Sequence, residues 1–567
     1  MTSRSLLQVL LIVVVEMVIE YLLERRRNTF HKDIDKHNEP KRILYPLLSA
    51  GDVWREAVLV SICDNCEIVF DSARGVFQIY FPAWPSYFSY PGFCNYKLVK
   101  RVIVTAPSWK NLCDKNSRET IAWSRYNGAI FPLATNLVVA FKIPYDDPCS
   151  LSNFTQDSTR GMMGKHKGAV DFARSLLRLT PAVTGVSVVA ISYDATYKLL
   201  SGPCPILVSE LFQESVTHLD VSCRAGNAIF LLKPDGMSGL TSITHGPGIA
   251  CLPIARLTYH NARTLRELHI TPATQDDWSS LITCGNLPPA SYTNLVSLSM
   301  DVTNTSPWGW TTVEDAAPFP TLAKLEISGD YPFDDDSLFR GNRGMLQKLS
   351  IPFHAIAKNA LGGLNALNHR GAMRMNPIYT VLANHEGQIP STDLVQEQLH
   401  WVLESSAVLK LSSETAYRQV TSGPVFTALC TAPSTAIVQH LVLLQQICTL
   451  TDIISIVSRL PSLVSLTCLI HGPTTQAELN PESEHPRILR KRDYPLSSNF
   501  RALYVYSVIN TEVSNVSIIA MQLAVICPCF ACVDLPSGLR KELRDNFIWS
   551  LENGPFSPYG DDLCRLI

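Results

Sequence analysis

For a chain of 567 residues, this sequence is short of positive charge. Its 48 Lys and Arg are balanced by 50 Asp and Glu, for a formal net charge of −2. A nucleic-acid binder shows a basic excess or stripe, and none is present. Charged residues make up only 17% of the chain and hydrophobic residues 46%, which argues against wholesale disorder. The N-terminal apolar stretch is interrupted by Gln8, Glu16 and Glu20, leaving Val9 to Val15 unbroken. That is well below the roughly 20 residues of a membrane span. Glu16 and Glu20 share one helix face, so an amphipathic helix is expected, with a membrane anchor over Leu6–Leu23 as the minor alternative. No small-residue cleavage pattern follows. The sixteen cysteines follow no framework spacing, and Cys448, Cys468 and Cys527 lie inside apolar runs. They read as reduced core residues of a cytoplasmic or nuclear protein.

Catalytic signatures are lacking too. There is no His-Glu-x-x-His, no dinucleotide fingerprint and no Ser-His-Asp order. The segment Gly161–Gly168 (GMMGKHKG) is too short for a phosphate loop and has no Ser or Thr after its Lys. Asp334–Asp336 lack the alternating ligands and closing Glu of a calcium loop. Cys63 and Cys66 form a Cys-x-x-Cys, as do Cys529 and Cys532, but a structural zinc needs four converging ligands. No enzyme, cofactor or metal is therefore expected.

What the sequence does contain is one recurring phrase: apolar, two residues, apolar, one residue, apolar. It occurs at Val99/Val102/Val104, Val183/Val186/Val188, Val216/Leu219/Val221, Leu265/Leu268/Ile270 and Leu295/Leu298/Met300. It returns at Leu322/Leu325/Ile327, Leu346/Leu349/Ile351, Val438/Leu441/Leu443, Leu463/Leu466/Cys468, Phe500/Leu503/Val505 and Phe530/Val533/Leu535. One or two degenerate copies are expected between Ile351 and Val438. The last two apolar residues are two apart, so on a strand both point into the core, and the residue between them points out. Helix-spaced apolar residues precede several copies and stop at Pro181, Pro461 and Pro528. Asp393 and Gln396 sit at capping-box spacing before another helix. Copies spaced by roughly 24 to 30 residues lie in the range of leucine-rich repeats. The expected fold is α/β: a solenoid with a curved parallel sheet and outer helices over 96–567.

Upstream, "VVVEMVIEYLL" and "LLSAGDVWREAVL" resemble the helices of an F-box, the latter with its Trp-Arg pair. Followed by the repeats, the arrangement is similar to the F-box-like/leucine-rich-repeat proteins of fungi. It differs in lacking the usual Leu-Pro opening and in carrying a polar insertion over 24–42. The eight aromatics of Phe77–Phe93 suit a binding surface or a junction packing these helices onto the first repeat, and a junction over 71–95 is expected; the resemblance implies a short all-α module over 1–70. It also implies a non-enzymatic substrate receptor that docks on the adaptor of a Skp-cullin-F-box ubiquitin ligase. The matching positions are Val14, Met17, Val18, Tyr21, Leu22, Leu47, Leu48, Trp54 and Arg55. Two alternatives stand beside it: a repeat scaffold without a ligase role, its N-terminal helices capping the first repeat, and a membrane-anchored recognition protein. The outward positions His218, Asp220, Glu267, His269, Lys324, Glu326, Lys348 and Ser350 are charged or polar between apolar neighbours, and form the expected target-binding strip on the concave sheet.

Overall fold

The computed structural model describes residues 54–55, 59, 63–71, 76–80, 96–106, 131–142, 170, 172–191, 210–211, 215–221, 238–245, 252–271, 281–282, 289–302, 319–329, 338, 346–358, 360–361, 378–384, 393–413, 418–419, 424–471, 499–509, 530–532 and 545. The chain divides into two compact units. The first holds Met1–Ala273 and Thr283–Asn286, the second Thr274–Ile282 and Leu287–Ile567.

In the first unit the strands are β1 (Asn65–Asp71), β2 (Val76–Tyr80), β3 (Arg101–Ala106), β4 (Asn136–Lys142), β5 (Gly185–Ile191), β6 (His218–Val221), β7 (Ser242–His245) and β8 (Glu267–Ile270). From β3 onward each strand pairs in parallel with the next, and β1 joins the ladder beside β3. Among the described strands of this unit only β2 runs antiparallel, against β1. A helix over 172–179 and helix α1 (Leu252–His260) lead into β5 and β8.

The second unit repeats the plan with β9 (Ser297–Val302), β10 (Lys324–Gly329), β11 (Lys348–Pro352), β12 (Ile378–Asn384), β13 (Ser406–Ser413), β14 (Arg418–Gln419), β15 (His440–Cys448), β16 (Ser465–His471), β17 (Ala502–Ile509) and β18 (Phe530–Cys532). Neighbours are again parallel and sequential, with β13 passing directly to β15 and β14 flanking the far end of β15. Helices α2 (Asp393–Ser405), α3 (Pro424–Cys430) and α4 (Leu450–Arg459) supply the other layer. Parallel order between consecutive strands, with helices in the connections, is the α/β repeat plan that the phrase predicts.

The register explains the phrase residue by residue. Val102, Leu137, Val186, Leu219, Ile243 and Leu268 stand opposite one another along the first ladder and are 0 to 2% exposed. Leu298, Leu325 and Leu349 form the same row in the second unit, as do Leu409, Leu441, Leu466 and Leu503. Each fully buried Leu contributes about 1.5–3 kcal/mol over an exposed one.

The carbonyl just after the first apolar residue does a second job. It accepts two N–H groups at the start of the next strand. Thr184 O takes Thr217 N and His218 N at 2.8 and 3.1 Å, and Thr217 O takes Thr241 N and Ser242 N at 2.7 and 3.1 Å. Gln439 O takes Val464 N and Ser465 N in the same way, at 2.7 and 3.0 Å.

Prolines set the turn before several strands. Thr180-Pro181-Ala182-Val183 closes with Val183 N on Thr180 O at 3.2 Å, and Leu460-Pro461-Ser462-Leu463 with Leu463 N on Leu460 O at 3.1 Å. Proline fixes the backbone angle that the second position of such a turn requires. Pro528 lies outside the described residues. Helix α4 opens on a capping box, in which Asp452 N donates to Thr449 Oγ1 and Thr449 N to Asp452 Oδ2.

Several expectations need correction. The parallel sheet begins upstream of residue 96, because Cys63, Cys66 and Ile68, at most 2% exposed, occupy the three apolar positions of a repeat. Their Cys-x-x-Cys is the repeat phrase itself. Residues 65–71 are therefore strand rather than part of an all-α module. The last copy is shifted: Phe530 stands opposite Leu503 and Cys532 opposite Val505, while Val533 and Leu535 lie outside the described residues. At α2 the Gln396 amide donates to Thr431 Oγ1 at 3.2 Å, across to the segment after α3.

The degenerate copies between Ile351 and Val438 are β12 and β13. Thr380 replaces the inward Leu of β12, and Ser406 opens β13. Both are fully buried, and their hydroxyls bond each other at 2.7 Å. A satisfied hydroxyl pair can sit in an apolar core where a lone one cannot.

Candidate interaction surface

Residues between the inward positions form two outward rows on each sheet. In the first unit His218, Ser242 and Glu267 share one row, and Asp220, Thr244 and His269 the other. His218 and Glu267 are exposed, Asp220 and His269 half-buried. Thr217 Oγ1 lies 2.7 Å from His218 Nδ1, and Ser242 Oγ donates to Glu267 Oε2 at 3.5 Å. Strand β7 carries no complete apolar phrase, because in the sequence Leu240 and Ile243 are followed by His245 at the third position.

In the second unit Ser297, Lys324, Lys348 and Tyr379 share a row. The next row runs Ser299, Glu326, Ser350, Val381, Lys410, Val442, Thr467 and Tyr504. Lys324 and Glu326 are exposed, Lys348 and Ser350 half-buried. Lys348 Nζ pairs with Glu326 Oε2 at 3.2 Å, across adjacent strands. Thus four of the eight expected strip residues come together in each unit. The sequence reading missed the continuation onto Tyr379, Lys410 and Tyr504. Extending the same outward positions into the degenerate repeats would have found them.

Of the expected adaptor-docking positions, Trp54 is half-buried and Arg55 exposed, both with helical backbone. Val14, Met17, Val18, Tyr21, Leu22, Leu47 and Leu48 lie outside the described residues, as does the apolar stretch Leu6–Leu23. No helix among the described residues is long and apolar enough to cross a membrane.

A cleft of about 490 Å³ lies on α2, lined by Asp393, Gln396, Glu397, His400, Trp401, Glu404 and Pro433. Thr431 Oγ1 lies 3.2 Å from both Gln396 Nε2 and His400 Nε2, and Thr435 donates to Glu404. Asp393 stands in the first turn of α2, where a carboxylate favours the helix dipole. Among the described residues no group of three or more His, Cys, Asp or Glu could share a metal ion. The thiols are suited to packing. A hydrogen bond with Cys468, then burial, push the Cys448 thiol well above its ordinary value, and burial followed by the Asp452 charge raises that of Cys430. Neutral thiols are poor nucleophiles and poor metal ligands.

No protein-family model matches this chain, and no curated protein matches it.

Proposed function

We propose that this is a non-enzymatic recognition protein that binds another protein through the open faces of its parallel sheets. One observation supports the reading: outward rows of polar, charged and aromatic side chains, mounted on strands whose inward rows are buried and almost all apolar. Side chains held on rigid strands need little ordering when a partner arrives, and that lowers the entropic cost of association. The resemblance of the N-terminal segment to an F-box extends the proposal. Targets held on the repeats would be brought to a Skp-cullin-F-box ligase through Leu47, Leu48, Trp54, Arg55 and the apolar segment that contains Val14, Met17, Val18, Tyr21 and Leu22.

Site-specific photocrosslinking in cells tests the receptor role. A benzophenone side chain at Ser299 or Ser350, on the open face, should yield defined protein adducts. The same group at Arg459, exposed on α4, should not. Equal adducts from both sites, or none from the face, would reject the proposal. Co-precipitation of the ligase adaptor with the full chain, lost on Leu47→Asp with Leu48→Asp, tests the ligase role separately. Substitution is preferable to deleting the N-terminus through residue 66, because Cys63 and Cys66 belong to the sheet core.

A further inference from the structure

The open face of the second unit changes character after β11. On β9 to β11 it carries hydroxyls and mixed charge: Ser297, Ser299, Lys324, Glu326, Lys348 and Ser350. From β12 to β17 one row reads Val381, Lys410, Val442, Thr467 and Tyr504, with Tyr379 in the row beside it. Tyr379 is 39% and Tyr504 41% exposed, although both are large and could have been replaced by small polar residues without touching the core. The described outward positions of these strands hold no carboxylate. Lys410 is half-buried, stands between Val381 and Val442, and makes no ion pair among the described residues.

We propose that this patch binds an extended, acidic segment of a partner protein, with one carboxylate on Lys410 and an apolar or aromatic side chain against Tyr504. The inference rests on the receptor reading above and specifies its partner. A lysine flanked by valines sits where a docked segment excludes water, so an arriving carboxylate meets a cation already partly stripped of solvent. A charge pair closed off in this way contributes more to the lifetime of a complex than one at a wet rim. Exposed tyrosines give large contact area for little conformational entropy. Lys410 and Tyr504 are three strand spacings apart, roughly 14 Å, which an extended segment crosses in about four residues at about 3.3 Å each. The expected ligand therefore carries Asp or Glu about four residues from an aliphatic or aromatic residue.

The test pans a displayed library of random linear peptides on the full chain and measures enriched peptides in solution by fluorescence anisotropy. Acid-plus-apolar peptides with that spacing should emerge. Lys410→Glu should weaken them at least about tenfold, Tyr504→Ala several-fold, and Lys410→Arg should retain most of the binding. Urea unfolding of each variant checks that the fold is intact, and Lys410→Gln carries the same test if Lys410→Glu unfolds. Failure to enrich such peptides, or binding indifferent to Lys410→Glu, overturns the proposal. If only Lys324→Glu with Lys348→Glu abolishes binding, this patch is wrong but the receptor reading survives. If no open-face substitution matters, both fall. Binding of labelled oligouridylate that Lys410→Glu abolishes would overturn the proposal in favour of a nucleic-acid site.

Discussion

Strands β6–β8 and strands β12–β17 use the same inward residues to opposite outward ends. Inside, Leu219, Ile243 and Leu268 match Leu409, Leu441, Leu466 and Leu503 in burial and register. Outside, the first region presents His218, His269, Asp220 and Glu267 among hydroxyls, while the second presents Tyr379, Tyr504 and valines around Lys410. The inward row answers to close packing, which tolerates little change in volume. The outward row answers only to solvent and to whatever binds. The residues that hold the fold and those that face outward thus alternate along one strand.

The strongest way to break this comparison is to cut the inward row in both places. Leu268→Ala in the first unit and Leu325→Ala in the second should each cost about 2–5 kcal/mol in urea unfolding. Both side chains are at most 2% exposed. A clear loss in one unit and none in the other would show that the two inward rows are not equivalent.

The polar exception sharpens it. Thr380→Val leaves the buried Ser406 hydroxyl without its partner and should cost about 1–3 kcal/mol. Adding Ser406→Ala removes the orphan and should recover part of that loss. Additive losses in a double-mutant cycle would show that the pair is not coupled.

The smallest effect belongs to the outward row. Lys324→Glu with Lys348→Glu should change stability by less than about 1 kcal/mol, since the broken pair with Glu326 is solvent-exposed. The same double reversal should weaken partner capture several-fold and flatten its dependence on salt. A large loss of stability would mean that outward residues carry the fold after all.

The regular part of this architecture was legible because its inward residues are all apolar, and period-two spacing after a proline turn is distinctive. Legibility failed where a position of the phrase had another chemistry. His245 hid β7, Thr380 hid β12, and the cysteines of β1 resembled a metal motif until their register was known. At β18 the apolar residues Phe530, Val533 and Leu535 offered a plausible frame, since the segment CPCFACVDL holds apolar residues at the spacing of the phrase in more than one frame. Of the candidate surface, the charged residues of β6, β8, β10 and β11 were found because charge between leucines is conspicuous. Tyr379 and Tyr504 escaped because an aromatic residue on a strand looks like core until its face is known.

The paired N–H groups at the start of each strand have a consequence for how this chain tolerates change in length. The Thr217 hydroxyl reaches back 33 residues to the Thr184 carbonyl, and the Thr241 hydroxyl reaches back 24 to that of Thr217, yet both strands start in the same register. Each strand takes its register from the carbonyl at the start of the strand beside it and not from the length of the connection between them. Residues inserted in the connections add only a slowly growing loop entropy and leave the side-chain rows in place. A single residue inserted between Leu463 and Leu466 would do the reverse, turning Leu466 outward and Thr467 into the core. Changes of length are thus tolerated best in the exposed parts of the connections, away from the buried faces of α2 and α4 and from the few residues that follow each carbonyl origin.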